Sequence, residues 1–197
     1  MKTYLALGDS MSIDAYTGIA GGGSVARFGA MLGPTWRVVD RTFDGCLMGE
    51  VDVTPPNTTT ALVTMTIGGN DLLGHLERYL ESGDPSELDD TVVRAFVDEH
   101  RALLHSLRAA HPTAHLVIAN IYRPDLPLPP EVTRVLDAIN AHIAANTAAI
   151  KASLADVHGA LSGQESAALT QQIEPNLVGA GLIAEAFAAA APMFAKP

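Results

Sequence analysis

Short, wholly apolar runs alternate along this chain with longer stretches in which Leu, Val and Ala recur at helical spacing. Residues 4–7 form the first apolar run. It has no polar face, which is the mark of a strand covered on both sides in a parallel sheet. Further strands are predicted at 36–39, 61–67, 114–119 and 154–157. The run 61–67 is the clearest, being rich in β-branched residues and closed by Gly68-Gly69. Between them the spacing predicts helices over 27–32, from Asn70-Asp71 onward, over 86–110, over 131–151 with Pro130 at its start, and over 177–191. Strands alternating with helices predict an α/β protein with a parallel, doubly wound sheet and helices on both faces. No repeat, linker or composition break divides the chain, so one domain over 1–197 is expected.

Composition narrows the functional classes. Of 197 residues, 48% are hydrophobic and 17% charged, which suits a globular domain with a sizeable core. The formal charge is -10 and no Lys/Arg cluster stands out, which argues against nucleic acid or an anionic membrane as partner. The one cysteine, Cys46, excludes an internal disulfide and reads as a small packing residue. No apolar run is long enough to span a membrane, since Glu185 and Pro192 interrupt the Ala-rich tail. The N-terminus enters a strand at once, without a secretion signal, so a cytoplasmic location is expected.

The first strand stops at Gly8 and delivers Ser10 to its tip. In open α/β sheets, ligands bind outside the carboxyl ends of the strands, so a nucleophile is well placed there. The Gly-rich loop 18–23 does not fit a dinucleotide fingerprint, which needs its glycines in the turn directly after the strand. The segment 123–130 holds four prolines after a strand end, and is expected to form a rim over the site.

Four features fall in a telling order: Gly8-Asp9-Ser10, Gly45, Gly68-Gly69-Asn70-Asp71, and Pro175-Asn176 before the last helix. Together they resemble the SGNH (GDSL) hydrolase family, and the similarity runs from Leu5 to about Phe187. The resemblance implies a three-layer α/β/α sandwich around a flavodoxin-like, five-stranded parallel sheet, and hydrolysis of a small-molecule ester without cofactor or metal. It also implies roles. Ser10 would be the nucleophile, and the Ser10 and Gly45 backbone N–H groups with the Asn70 amide would hold the oxyanion. Asp9 and Asp71 are expected to hold the loop and the helix start by hydrogen bonds and to do no chemistry themselves.

The same resemblance exposes a departure. The family closes with Asp-x-x-His before its Pro, where this chain has Gln171-Gln172-Ile173-Glu174-Pro175. Glu174 stands at the position of the base and Gln171 at that of its orienting Asp. Three readings follow. Glu174 is itself the base, its pKa raised by burial or by a second carboxylate, for which Asp14 is the candidate if Ser10 opens a helix. Alternatively another histidine serves: His158 at the end of the fifth strand, or His75, expected to face away. In the third reading hydrolysis is lost, and the fold binds a sugar or acyl ligand.

Overall fold

The computed structural model describes residues 1–194. Five parallel strands make the sheet: β1 (Lys2–Gly8), β2 (Trp36–Thr42), β3 (Thr60–Thr66), β4 (His115–Ala119) and β5 (Ser153–Ala155), in the order β2-β1-β3-β4-β5. Seven α-helices join or follow them: α1 (Ser24–Leu32), α2 (Gly69–Ser82), α3 (Asp90–Ala110), α4 (Pro130–Ala149), α5 (Val157–Leu161), α6 (Glu165–Ala168) and α7 (Leu177–Ala190). A two-residue hairpin, β6 (Leu169–Thr170) against β7 (Glu174–Pro175), precedes α7. This is the three-layer, flavodoxin-like arrangement.

Side chains alternate across β1, and the alternation divides the core in two. Leu5 and Leu7 face one layer with Val63, Met65, Leu116 and Ile118, packed on Leu104 and Leu107 of α3 and Ile139 and Ile143 of α4. Tyr4 and Ala6 face the other with Leu62 and Val117, packed on Phe28 of α1 and Ile183 and Phe187 of α7. The Tyr4 ring meets Phe28 edge-on, and its buried hydroxyl is 2.7 Å from the Thr64 hydroxyl. Burying a Leu or Ile side chain in either layer contributes about 2 kcal/mol.

Several element boundaries differ from expectation: α1 begins earlier, at Ser24, β2 runs on to Thr42, and two further differences have a clear local cause. The helix expected over 86–110 begins only at Asp90, because the Asp89 carboxylate caps the N–H groups of Thr91 and Val92. A single 3-10 turn, Pro85–Leu88, precedes it. The fifth strand ends at Ala155, and Val157 opens α5, because Asp156 accepts from the Gly159 N–H as a helix cap. No helix among the described residues is long and apolar enough to cross a membrane.

In the observed strand order, the chain leaves β1 for β2 on one side and β3 pairs on the other. Such a reversal opens a crevice at the carboxyl ends of the two central strands. Ser10 follows β1 and Asn70 follows β3, so both stand at that crevice.

Candidate active site

Ser10 is held by backbone geometry that its neighbours make obligatory. Gly8 has φ +123°, and a Cβ there would lie 1.7 Å from the Thr66 carbonyl oxygen. Only glycine permits strands β1 and β3 to end this close together. The Asp9 N–H then donates to the Thr66 carbonyl at 3.1 Å. The Asp9 carboxylate accepts from the Met11 N–H at 3.2 Å and caps a single 3-10 turn, Ser10–Ser12. The Ser12 and Thr66 hydroxyls are 2.9 Å apart.

Gly45 stands in the loop between β2 and β3, with φ +73° and open space where a Cβ would stand, and does not itself line the pocket described below. The loop is tied to the start of α2 by two contacts. Asn70 Nδ2 donates to the Cys46 carbonyl at 3.0 Å, and the Asp71 carboxylate accepts from the Met48 N–H at 3.2 and 3.3 Å. The second Asn70 amide N–H donates to no group among the described residues. The Ser10 and Gly45 N–H groups donate to no group among the described residues. Cys46 is buried, and burial pushes its thiol up to about 12, so it stays a neutral packing group.

Glu174 comes from the opposite side. Gln171 and Gln172, at φ 49° and 68°, turn the chain back from β6 to β7. The turn is pinned from outside: the Gln172 carbonyl accepts from the Asp125 N–H at 2.7 Å, and the Ile173 carbonyl accepts from the Tyr122 hydroxyl. Asn176 caps α7 at the Val178 and Gly179 N–H groups while its amide donates to the Ala167 carbonyl at 2.8 Å. Glu174 lies between these anchors, only 7% exposed, and its Oε2 finds no partner among the described residues. Burial raises its pKa. The nearby Ser10 hydroxyl partly opposes the rise, and the Asp44 charge adds to it. Ser10 and Glu174 are therefore neighbours, without a hydrogen bond of ordinary geometry. Gln171 is exposed at the turn, so no side chain replaces the orienting Asp there.

Both groups line a pocket of about 110 Å³. Ser10, Asn70, Asp9 and Glu174 form its polar end. Its walls are Leu72, Leu73 and Leu76 of α2, Leu88, Val92, and Val132, Val135 and Leu136 of α4. The α2 helix buries none of its residues fully, because its apolar side faces this cavity. The expected rim is present: Pro124 and Leu128 of the proline-rich segment also line the pocket.

The structure does not bring Asp14 to Ser10. The 3-10 turn ends at Ser12, so no continuous helix aligns the two residues. Asp14 instead accepts from the Gly21 and Gly23 N–H groups at 2.6 and 2.7 Å, which accounts for the Gly-rich loop. His158 is likewise engaged elsewhere: its Nδ1–H donates to the Ile121 carbonyl at 3.0 Å and its backbone N–H to Asn120 Oδ1 at 2.8 Å. His75, expected to face away, lines the pocket wall with Nδ1 2.8 Å from Glu87, itself paired with Arg78 at 2.9 Å. Asp9 is the residue whose part was underestimated. It is 2% exposed and its pKa is raised to about 7, chiefly by burial; bonds from Thr66 and Met11 oppose the rise and the Glu174 charge adds to it. Its place beside the serine, at the end of an apolar strand, was the available signal of burial.

A family of acyl-transfer enzymes shares this architecture. Residues 6–180 match the model of the GDSL-like lipase/acylhydrolase family, and the chain belongs to it. It is by family an SGNH-type carboxylic ester hydrolase. Solved structures with the same fold include a lipase, Lip_vut3, from a goat rumen metagenome, at 20% identity and TM-score 0.83 over 96% of this chain and 97% of that one. Phospholipase A1 from Streptomyces albidoflavus NA297 aligns at 20% identity and TM-score 0.76, covering 96% and 99%. An extracellular lipase from Streptomyces rimosus aligns at 22% identity and TM-score 0.72, covering 97% and 100%. Among curated proteins none matches the sequence.

Proposed function

We propose that the protein cleaves a small carboxylic ester through an acyl-serine at Ser10, with Glu174 as the base. Ser10 Oγ attacks the ester carbonyl carbon and its proton passes to Glu174. The carbonyl oxygen, now negative, accepts from the Ser10 and Gly45 N–H groups and from Asn70 Nδ2. Collapse expels the alcohol, which takes the proton back from Glu174. Water then repeats the sequence and frees the acid. The apolar walls on α2 and α4 suit the acyl chain.

The observation that carries this reading is the buried Glu174 carboxyl beside the Ser10 hydroxyl, at the polar end of an apolar pocket. A free glutamate is a poor base for an alcohol, and each unit by which its pKa rises recovers about 1.4 kcal/mol of proton-transfer driving force. The active form is the ionised one, so activity rises with pH through a midpoint above that of an ordinary glutamate.

The test combines a fluorophosphonate label with turnover of a short-chain aryl ester over about pH 5 to 9. The label is expected on Ser10. Ser10→Ala should remove it and cut turnover by ~10³-fold or more, and Glu174→Gln should cut turnover by ~10²-fold or more. No label and no turnover overturns the reading. Saturable ligand binding that survives Ser10→Ala would then favour the alternative, a silent fold that binds an acyl or sugar compound.

A further inference from the structure

Two buried carboxyl groups flank Ser10, and the proposed base is only one of them. Asp9 is the peptide neighbour of the serine, is more deeply buried than Glu174, and lines the same pocket. Its Oδ1 accepts only the Met11 N–H, with the Thr66 hydroxyl beside the carboxyl group. Glu174 Oε2 has no partner at all among the described residues. The other titratable groups around the pair are the Tyr122 hydroxyl, the Cys46 thiol, the Tyr16 hydroxyl, the Asp44 carboxylate and, lining the same pocket, His75 paired with Glu87. No Lys, Arg or His stands among the groups that shift either carboxyl. Two negative charges without a counter-ion in such a place repel strongly, so one proton is retained between them.

We propose that Asp9 and Glu174 act as one acid–base unit, in which Asp9 keeps a proton while Glu174 carries the single charge that receives the proton of Ser10. The proposal rests on Glu174 as the base and adds Asp9 as the residue that tunes it. The balance is simple. Before attack the site holds one negative charge, on Glu174. In the attack the Ser10 proton moves to Glu174, both carboxyls are then neutral, and the one negative charge sits on the former carbonyl oxygen. Release of the alcohol reverses the transfer. Net charge in the pocket never exceeds one, so no step adds a second buried charge. Asp9 is the member that keeps its proton because it is the more deeply buried and titrates near neutrality.

The experiment is a carbon-13 NMR titration of the full chain, labelled at the Asp and Glu carboxyl carbons. Asp9 is expected to titrate near neutral pH. Glu174→Gln should move the Asp9 midpoint to lower pH, because the Glu174 charge no longer opposes its ionisation, whereas Asp9→Asn, neutral as Asp9 is while Glu174 titrates, should leave the Glu174 midpoint in place. The rising limb of kcat/KM should coincide with the Glu174 midpoint and stay there in Asp9→Asn, while any change of rate that the unsubstituted protein shows through the Asp9 midpoint is lost in that variant, a pH signature that loss of a merely structural contact does not produce. An Asp9 midpoint that ignores Glu174→Gln, or an Asp9 that ionises before Glu174, overturns the pair. If Asp9→Asn fails to fold, the Asp9 midpoint in Glu174→Gln decides alone. Coupled midpoints with an unreactive Ser10 overturn the base reading and leave the shared proton; uncoupled midpoints with a reactive Ser10 do the opposite.

Discussion

The two sides of the candidate site are built on different principles. On one side Ser10, Gly45 and Asn70 are fixed by backbone: two strand ends, a glycine that no other residue can replace, and a helix start tied to a loop by Asn70 and Asp71. Here the Asp9 and Asp71 carboxylates and the Asn70 amide are bonded to backbone, and the Ser10 and Gly45 N–H groups are left without an acceptor among the described residues. On the other side the Glu174 backbone is just as well anchored, by Tyr122, Asp125 and Asn176, yet its side chain is buried with an oxygen unmatched. The difference teaches where each kind of chemistry is stored. The donor side keeps its readiness in geometry, and the carboxyl side keeps it in the cost of burying charge.

That contrast is broken most directly at Asp9, which belongs to the donor side by position and to the carboxyl side by chemistry. Its pKa is raised on folding, so the folded state holds a proton that the unfolded chain releases earlier. Stability from this group is fully present below about pH 4 and is lost progressively up to about pH 7. A rise from 3.8 to about 7 corresponds to ~4 kcal/mol lost across that window. Asp9→Asn cannot ionise, and its oxygen can still accept from Met11. Relative to the unsubstituted protein, it should therefore be more stable at pH 8 by up to that amount and nearly equal at pH 4. Denaturant unfolding at the two pH values measures this; an equal difference at both would show that Asp9 is already ionised in the folded protein. On the donor side the next largest effect is Asn70→Ala. Removing one side-chain donor from an oxyanion site costs ~10²- to 10³-fold in kcat. The KM for a short ester should move little, and the rising limb of the pH profile should stay in place, because Asn70 does not touch Glu174's charge. A shifted midpoint would show that the two sides are not separable.

The donor side was also the legible one. Gly8-Asp9-Ser10 and Gly68-Gly69-Asn70 each follow an apolar run, and strand ends in a parallel sheet converge on one edge. Local sequence therefore carries the arrangement. Asp14 was misplaced for the opposite reason: its distance from Ser10 suggested one helix face, but Asp9 caps a turn of only three residues, and the chain then bends so that Asp14 serves Gly21 and Gly23. The burial of Asp9 was signalled only by its place at the end of an apolar strand; its depth depends on β3 lying close beside β1, a tertiary fact. His75 was expected to face away, but amphipathicity cannot say whether the apolar face of its helix meets the core or a cavity. In this protein it meets the pocket. The departure at Glu174 was visible at once. What burial does to that carboxyl depends on the hairpin, the proline-rich segment and Tyr122 meeting around it.

The smallest predicted effect tests whether any histidine shares the work of Glu174. His158 is held by the Ile121 carbonyl and by Asn120, and the Ile121 carbonyl has a second donor in Asn140 Nδ2 at 2.8 Å. His158→Ala therefore removes one side-chain hydrogen bond without leaving that carbonyl bare. It should lower stability by about 1 kcal/mol. Because the ring is committed to α5 and the end of β4, kcat/KM should stay within about twofold of the unsubstituted enzyme, with the same pH midpoint. A loss of more than about tenfold in kcat/KM with thermal unfolding preserved would place the proton of Ser10 on an imidazole instead, since general-base loss is worth at least that much. The same pair of measurements on Glu174→Gln should give the reverse pattern, a large loss of rate at little loss of stability, because its Oε2 has no hydrogen bond to forfeit.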